Sequence, residues 1–247
     1  MINSKVKTIW LWGVPRSIST AFGKTFSQRN DCELIHEPFA ECYYFSGNRK
    51  SFRYGENPNL VSYGMEDIEK IILEKKRPVV FLKDLAFQAY HYVNDGFLSR
   101  NEQTFIIRHP LSVFSSLKKL KPDFTEEEFG FTAFQSIWDK VSFMLGHAPV
   151  LVEGERFQRE PERILREYCK KVGLDFQTNM LSWDTGMLRE WTAEDYEVHT
   201  KWHKTLEQSK TINPPRITEL DLNMSMEQKN IIDNAIEIYN KILPYAL

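Results

Sequence analysis

The segment Gly13-Val-Pro-Arg-Ser-Ile-Ser-Thr20 gathers a glycine, an arginine and three hydroxyls ahead of a stretch in which Phe22 and Phe26 have helical spacing. Such a set suits an anion. The first N–H groups of a helix have no partner within it, and the helix dipole places partial positive charge there. The hydroxyls of Ser17, Ser19 and Thr20 and the Arg16 guanidinium would add donors. The same residues permit a plainer reading, with Ser19 as an N-cap and Arg16 paired to a surface acid. Laid against the phosphate-cradling pattern G-x-x-x-x-G-K-[ST], Gly13 and Thr20 fall in register, but Ile18 stands at the second glycine and Ser19 at the lysine. A nucleoside-triphosphate loop should carry that lysine.

Four more constellations invite a chemical reading. Arg108, in Phe105-Ile-Ile-Arg-His-Pro110, sets a cation at the entrance of a helix that Pro110 would open, and Ser116 lies nearly two turns inside that helix. Leu34-Ile-His-Glu-Pro-Phe39 ends a strand with His36 and Glu37, either of which can take a proton. Alternation along the strand would send them to opposite sides, so only one should face a site. Lys83 and Asp84 end another apolar strand: Lys83 would neutralise a leaving anion or reach solvent, and Asp84 imitates the acid of phosphoryl-transfer enzymes. Asp195, His199 and His203 recur at four-residue intervals and would share one helix face. Trp191, Trp202, Lys201 and Lys204 fit an amphipathic lid equally well, and no metal site is expected.

The elements that must position these residues read as strands alternating with helices, which predicts a three-layer α/β/α fold around a central parallel sheet. Strands are expected near Thr8–Leu11, Cys32–His36, Pro78–Lys83, Thr104–Ile107 and Pro149–Val152. Helices are expected from Ser19 to Phe26, around Met65 to Ile72, from Pro110, from Phe134 to Leu145 and from Pro161 to Val172, the last stopped by Gly173. A final helix opens with the capping-box pattern Ser225-Met-Glu-Gln228. Tyr43 to Tyr63, with Gly47, Gly55 and Pro58, reads as a surface excursion. Tyr43, Tyr44, Phe45, Tyr54, Phe87, Tyr90 and Tyr92 would wall an acceptor pocket or simply build core.

With 247 residues, one domain over 1–247 is expected. The net charge of −2, from 32 Lys+Arg against 34 Asp+Glu, advertises neither a nucleic-acid nor an anionic-membrane surface. Apolar runs such as Pro78-Val-Val-Phe-Leu82 fall far short of the roughly 18 residues that a membrane span needs. Cys32, Cys42 and Cys169, odd in number and without metal-type spacing, suit a reducing cytoplasm.

Pro15-Arg-Ser-Ile-Ser-Thr-Ala21 resembles the 5′-phosphosulfate loop of the PAPS-dependent sulfotransferases, which carry sulfate on 3′-phosphoadenosine 5′-phosphosulfate (PAPS). The usual form there is Pro, a base, Ser, Gly, Thr, Thr, so Ile18 departs from it at the glycine. Phe105-Ile-Ile-Arg-His-Pro-Leu-Ser-Val-Phe-Ser-Ser116 is similar to the family's 3′-phosphate signature, an arginine ending the strand and a serine eight residues on. A weaker similarity covers Val150-Leu-Val-Glu-Gly-Glu-Arg-Phe157 and the helix from Pro161, and the whole reaches to about Phe176. The resemblance implies a P-loop-like fold in which Arg16, Ser17, Ile18, Ser19 and Thr20 hold the phosphosulfate, and Arg108 and Ser116 hold the 3′-phosphate. It implies Glu37 as general base, with His36 as its rival, and Lys83 near the transferring sulfate, although the histidine that cytosolic members place after that lysine is absent. Sulfuryl transfer to a hydroxyl or amine of a small acceptor would release 3′,5′-ADP (PAP), and the low charge of a sulfuryl group calls for no metal. Trp202 to Thr211 is similar in position and basic character to the family's cofactor-covering segment. A P-loop kinase, supported by Asp84, and a non-catalytic nucleotide-binding module are the alternative readings.

Overall fold

The computed structural model describes residues 6–55, 62–186, 205–215 and 223–247. Five strands, β1 (Lys7–Gly13), β2 (Cys32–His36), β3 (Val79–Leu85), β4 (Glu102–Ile107) and β5 (Val150–Glu153), form one parallel sheet in the order β2-β3-β1-β4-β5. The apolar character of these runs on both faces follows from their burial between helix layers. Along β1 the alternation is clear: Trp10 and Trp12 enter one buried cluster, Ile9 and Leu11 the other.

The Ile9 and Leu11 face is covered by α1 (Ser19–Ser27) and α10 (Pro161–Lys171), through Phe22, Phe26, Ile164, Leu165 and Tyr168. On the tryptophan face lie α2 (Phe39–Phe45), α4 (Ala86–Ala89), α6 (Pro110–Lys118), α8 (Phe131–Leu145) and α11 (Met226–Ile242), with α3 (Met65–Leu73) and the one-turn α5 (Asp95–Leu98) adding Ile68, Phe97 and Leu98. Two further short helices add to the two faces: α7 (Glu126–Phe129) puts Phe129 into the tryptophan cluster, and α9 (Gly154–Arg159) puts Phe157 into the other. Capping boxes open α7 at Thr125 and α11 at Ser225, so the acids of 126–128 serve a helix start.

The expected excursion from Tyr43 is corrected at its start. Residues 39–45 form α2, and Tyr43 and Tyr44 are buried against Phe87 and the tryptophan face, so these rings build core and wall no open pocket. Pro38 fixes the backbone for a helix entry, and the seven residues that follow are too few to show a period in sequence.

The chain leaves β1 toward β3 and β2 and later crosses to β4 and β5, so the strand order switches between β1 and β4, and in an open α/β sheet such a switch leaves a crevice beyond the carboxyl ends. Below that crevice a polar chain ties the layers. Thr104 Oγ1 donates to the Trp10 carbonyl at 2.7 Å and stands 2.6 Å from the Tyr168 hydroxyl, which is fully buried. With the Thr104 proton committed to the carbonyl, Tyr168 is the donor between the two hydroxyls. Thr104→Val is therefore expected to strand the Tyr168 hydroxyl and cost about 1–3 kcal/mol in denaturant titration, while adding Tyr168→Phe recovers part of the loss.

Candidate functional site

The β1-to-α1 loop is where the backbone departs furthest from ordinary geometry. Arg16 and Ile18 have φ of 59° and 70°, while Ser17 between them stays outside the positive region, so the hand of the backbone alternates over three residues. That alternation turns successive N–H groups toward one concave side, an anion nest. Holding a β-branched residue at positive φ costs about 1–3 kcal/mol, so Ile18 keeps a glycine-like backbone at the price of strain. Ile18 is the N-cap of α1 and supplies no side-chain cap, and the first turn carries no acid. The amides of that turn are thus left for another acceptor.

The hydroxyls do not all behave as expected. Ser17 Oγ donates to the Val14 carbonyl at 2.6 Å and is buried, so this hydroxyl shapes the loop and is not presented to a ligand. Ser19 is the first residue of α1 and not its cap, and it is buried with Thr20 partly exposed beside it. Gly13 makes the tight packing possible, because a Cβ there would stand 3.0–3.1 Å from the side chains of Ser17 and Ser19. From the far side Gly154, at the start of α9, presses closer still: a Cβ on it would lie 2.6 Å from the Ser17 carbonyl.

Parallel pairing of β1 with β4 sets Gly13 beside Ile106, so the residues after each strand meet. Arg108 Nη1 donates to the Arg16 carbonyl at 3.3 Å, and Arg16 Nε donates to Ser116 Oγ at 2.9 Å. Ser116, nearly two turns into α6, does reach the junction. Burial, and after it the charge of Arg108, bring the Arg16 guanidinium down from 12.5 to about 10. It stays charged at neutral pH. Arg108 Nε donates to Glu155 Oε1 at 3.3 Å, and the same oxygen accepts from Ser112 Oγ at 2.7 Å. Burial works against the Glu155 charge, but these donors outweigh it and hold the carboxyl below its usual range. Spacing gave no sign of Glu155 and Ser112; the β4–β5 register, Ile107 beside Glu153, brings them to Arg108.

Glu37, Lys83 and His36 form a second group. The buried Lys83 amine donates to Glu37 Oε1, and His36 Nε2 lies 3.8 Å from that oxygen. Both His36 and Glu37 therefore face one place, which corrects the expectation that only one would. The reason is the backbone: β2 ends at His36, Glu37 has φ of 48°, and strand alternation no longer applies. Gly23 of α1 lies over the Lys83 stem, where a Cβ would make ordinary contact with Lys83 Cβ at 3.5 Å. The helix that receives the anion loop thus also covers this group.

Asp84 points to the opposite face. Its two oxygens accept from the Phe39 and Leu85 amides at 2.7 Å, and burial, then the nearby Glu37, raise its carboxyl well above the usual range. A fully buried acid spent on two amides holds the turn between β2 and α2, and does not serve as the metal-binding acid of a kinase. Asp195, His199 and His203 lie outside the described residues, as does the start of the 202–211 segment; among the described residues no cluster of His, Cys, Asp and Glu could hold a metal ion. Among them also, no helix is long and apolar enough to cross a membrane.

A family model described as a sulfotransferase domain matches residues 7–243. Two Arabidopsis thaliana proteins, branched-chain-amino-acid aminotransferase-like proteins 2 and 1, are 26% identical over 241 residues and 25% identical over 236. Both alignments cover 95% of this chain and 41% of the relative, so the chain spans less than half the length of the curated relatives it matches. The sulfotransferase domain of the Synechococcus PCC 7002 olefin synthase shares the fold, with a TM-score of 0.53 at 16% identity over 95% of this chain and 96% of that one.

The contact between Gly154 and the loop can be checked directly. Gly154→Ala must displace the Ser17 carbonyl, and a loss of about 1–3 kcal/mol is expected by thermal melting. Gly47→Ala, whose new Cβ meets nothing within 4 Å, is expected to change stability little.

Proposed function

The chain belongs to the sulfotransferase domain family, and we propose that within it this protein moves a sulfuryl group from PAPS to a hydroxyl or amine of a small-molecule acceptor, releasing PAP. The observation that carries this reading is the meeting of two anion-binding junctions at the strand-order switch, joined by the bond from Arg108 to the Arg16 carbonyl. A donor with a 5′-phosphosulfate and a 3′-phosphate has two anionic ends to match them. Arg16 and the α1 amides would hold the 5′ end, and Arg108, with Ser116 close by, the 3′-phosphate.

In the transfer, the acceptor atom bonds to sulfur while the bond from sulfur to the bridging oxygen breaks, and that oxygen leaves on PAP. The acceptor proton passes to Glu37. Lys83 fixes the place of the Glu37 carboxylate, and Arg16 with the α1 N-terminus meets the charge that gathers on the leaving phosphate. His36 lies beside Glu37 and supports it without replacing it. The kinase reading finds no support from Asp84, whose oxygens are already taken by backbone amides.

Two measurements test this. PAP is expected to raise the melting temperature, by the equivalent of about 2.7 kcal/mol at a hundredfold excess over its dissociation constant, and ATP with magnesium to do much less. Equal shifts would favour a triphosphate site. In single-turnover transfer from labelled PAPS to an acceptor found by screening, Glu37→Gln is expected to slow the chemical step about 10²–10⁴-fold with PAP affinity nearly unchanged. His36→Ala should cost less; abolition by His36→Ala beside near-normal Glu37→Gln would reverse the two roles.

A further inference from the structure

Arg108 is gripped from two directions. Its Nε donates to Glu155 and its Nη1 to the Arg16 carbonyl, each at 3.3 Å. A guanidinium is planar and carries five N–H donors in a rigid fork, so contacts at two separate donors, Nε and Nη1, fix where the rest point. Three of those five donors have no protein acceptor among the described residues. Glu155 is itself held, by Ser112 Oγ at 2.7 Å on Oε1 and by Arg159 Nη2, 3.6 Å from Oε2.

A carboxylate at this place is electrostatically unexpected. It sits about one hydrogen bond away from the cation assigned to a phosphate, and its own charge repels a dianion. Its presence calls for a benefit that offsets the repulsion, and the geometry supplies one. We propose that Glu155 is the positioning residue of the 3′-phosphate site: through Arg108 Nε it sets the guanidinium plane, so that the open edge of the fork meets the 3′-phosphate while the other edge holds the Arg16 carbonyl. This rests on the reading of PAPS as the donor. It makes recognition of the 3′-phosphate depend on a residue 47 positions away in sequence.

The sign of the Glu155 charge separates positioning from plain electrostatics. A residue that acted only through its charge would, when neutralised, let a 3′-phosphorylated nucleotide bind more tightly; a positioning residue would let it bind more weakly. The test is calorimetric titration of the full chain with PAP and with ADP, which lacks the 3′-phosphate. Glu155→Ala is expected to weaken PAP about tenfold, the worth of a hydrogen bond to a charged group, and to leave ADP unchanged. Glu155→Gln, which keeps an acceptor and loses the charge, is expected to fall between wild type and Glu155→Ala. Ser112→Ala, which loosens Glu155 from its other side, should lower the PAP-to-ADP preference by a smaller factor. Tighter PAP binding by Glu155→Gln, an unchanged preference, or an equal loss for both nucleotides in folded variants would overturn the proposal. If the unaltered chain binds PAP no better than ADP, the cofactor reading fails first and this inference falls with it.

Discussion

Holding two half-buried guanidinium groups side by side is unfavourable, and much of the site is organised around that cost. Burial and the Arg108 charge bring Arg16 down to about 10, and it is still a cation at neutral pH. The arrangement persists because each is tied to something rigid: Arg108 to the Arg16 carbonyl and Glu155, Arg16 to Ser116 on α6. The tie depends in turn on the β1–β4 register and on Gly154, whose missing side chain leaves room for the Ser17 carbonyl. An anion placed between such groups relieves their repulsion where water can do so only weakly. The sheet, the loop and the glycine thus hold Arg16, Arg108 and the start of α1 together, the arrangement on which the proposed donor site rests.

The Glu37 half of the site obeys a similar logic with different means. The Glu37 amide donates to the Lys83 carbonyl at 2.7 Å, one step past the end of β2, so the sheet ladder itself pulls residue 37 into its left-handed conformation. Strain of this kind costs about 1–3 kcal/mol and survives only when surroundings over-determine it. Here Asp84 anchors the following turn through the Phe39 amide, and Lys83 holds the carboxylate. Two neighbouring strand residues, Lys83 and Asp84, therefore serve the same turn from opposite faces of the sheet.

Elements whose residues repeat over several turns or strand steps were legible in the sequence. Cys32–His36 is a strand with the bounds its apolar run predicts, and Pro110, Pro161 and Ser225 mark helix starts through chemistry that is local. The helices α2, α4, α5, α7 and α9 run four to seven residues, too few for a period to show. At the site, residue type singled out the β1-to-α1 loop and Arg108 but could not tell that the Ser17 hydroxyl turns inward to Val14. Nor could alternation place His36 and Glu37, because it presumes a strand that has already ended. Glu155 was hidden for another reason: its partner is set by strand order, a property of the whole sheet and not of any segment.

The account stands on the claim that one nucleotide bridges the two junctions. A crystal structure of the chain with PAP tests it most directly. The 5′-phosphate is predicted at the first turn of α1, inside the loop from Gly13 to Thr20, and the 3′-phosphate on the open edge of the Arg108 guanidinium. A nucleotide bound with its 3′-phosphate in solvent, or seated away from the β1 and β4 ends, would contradict it.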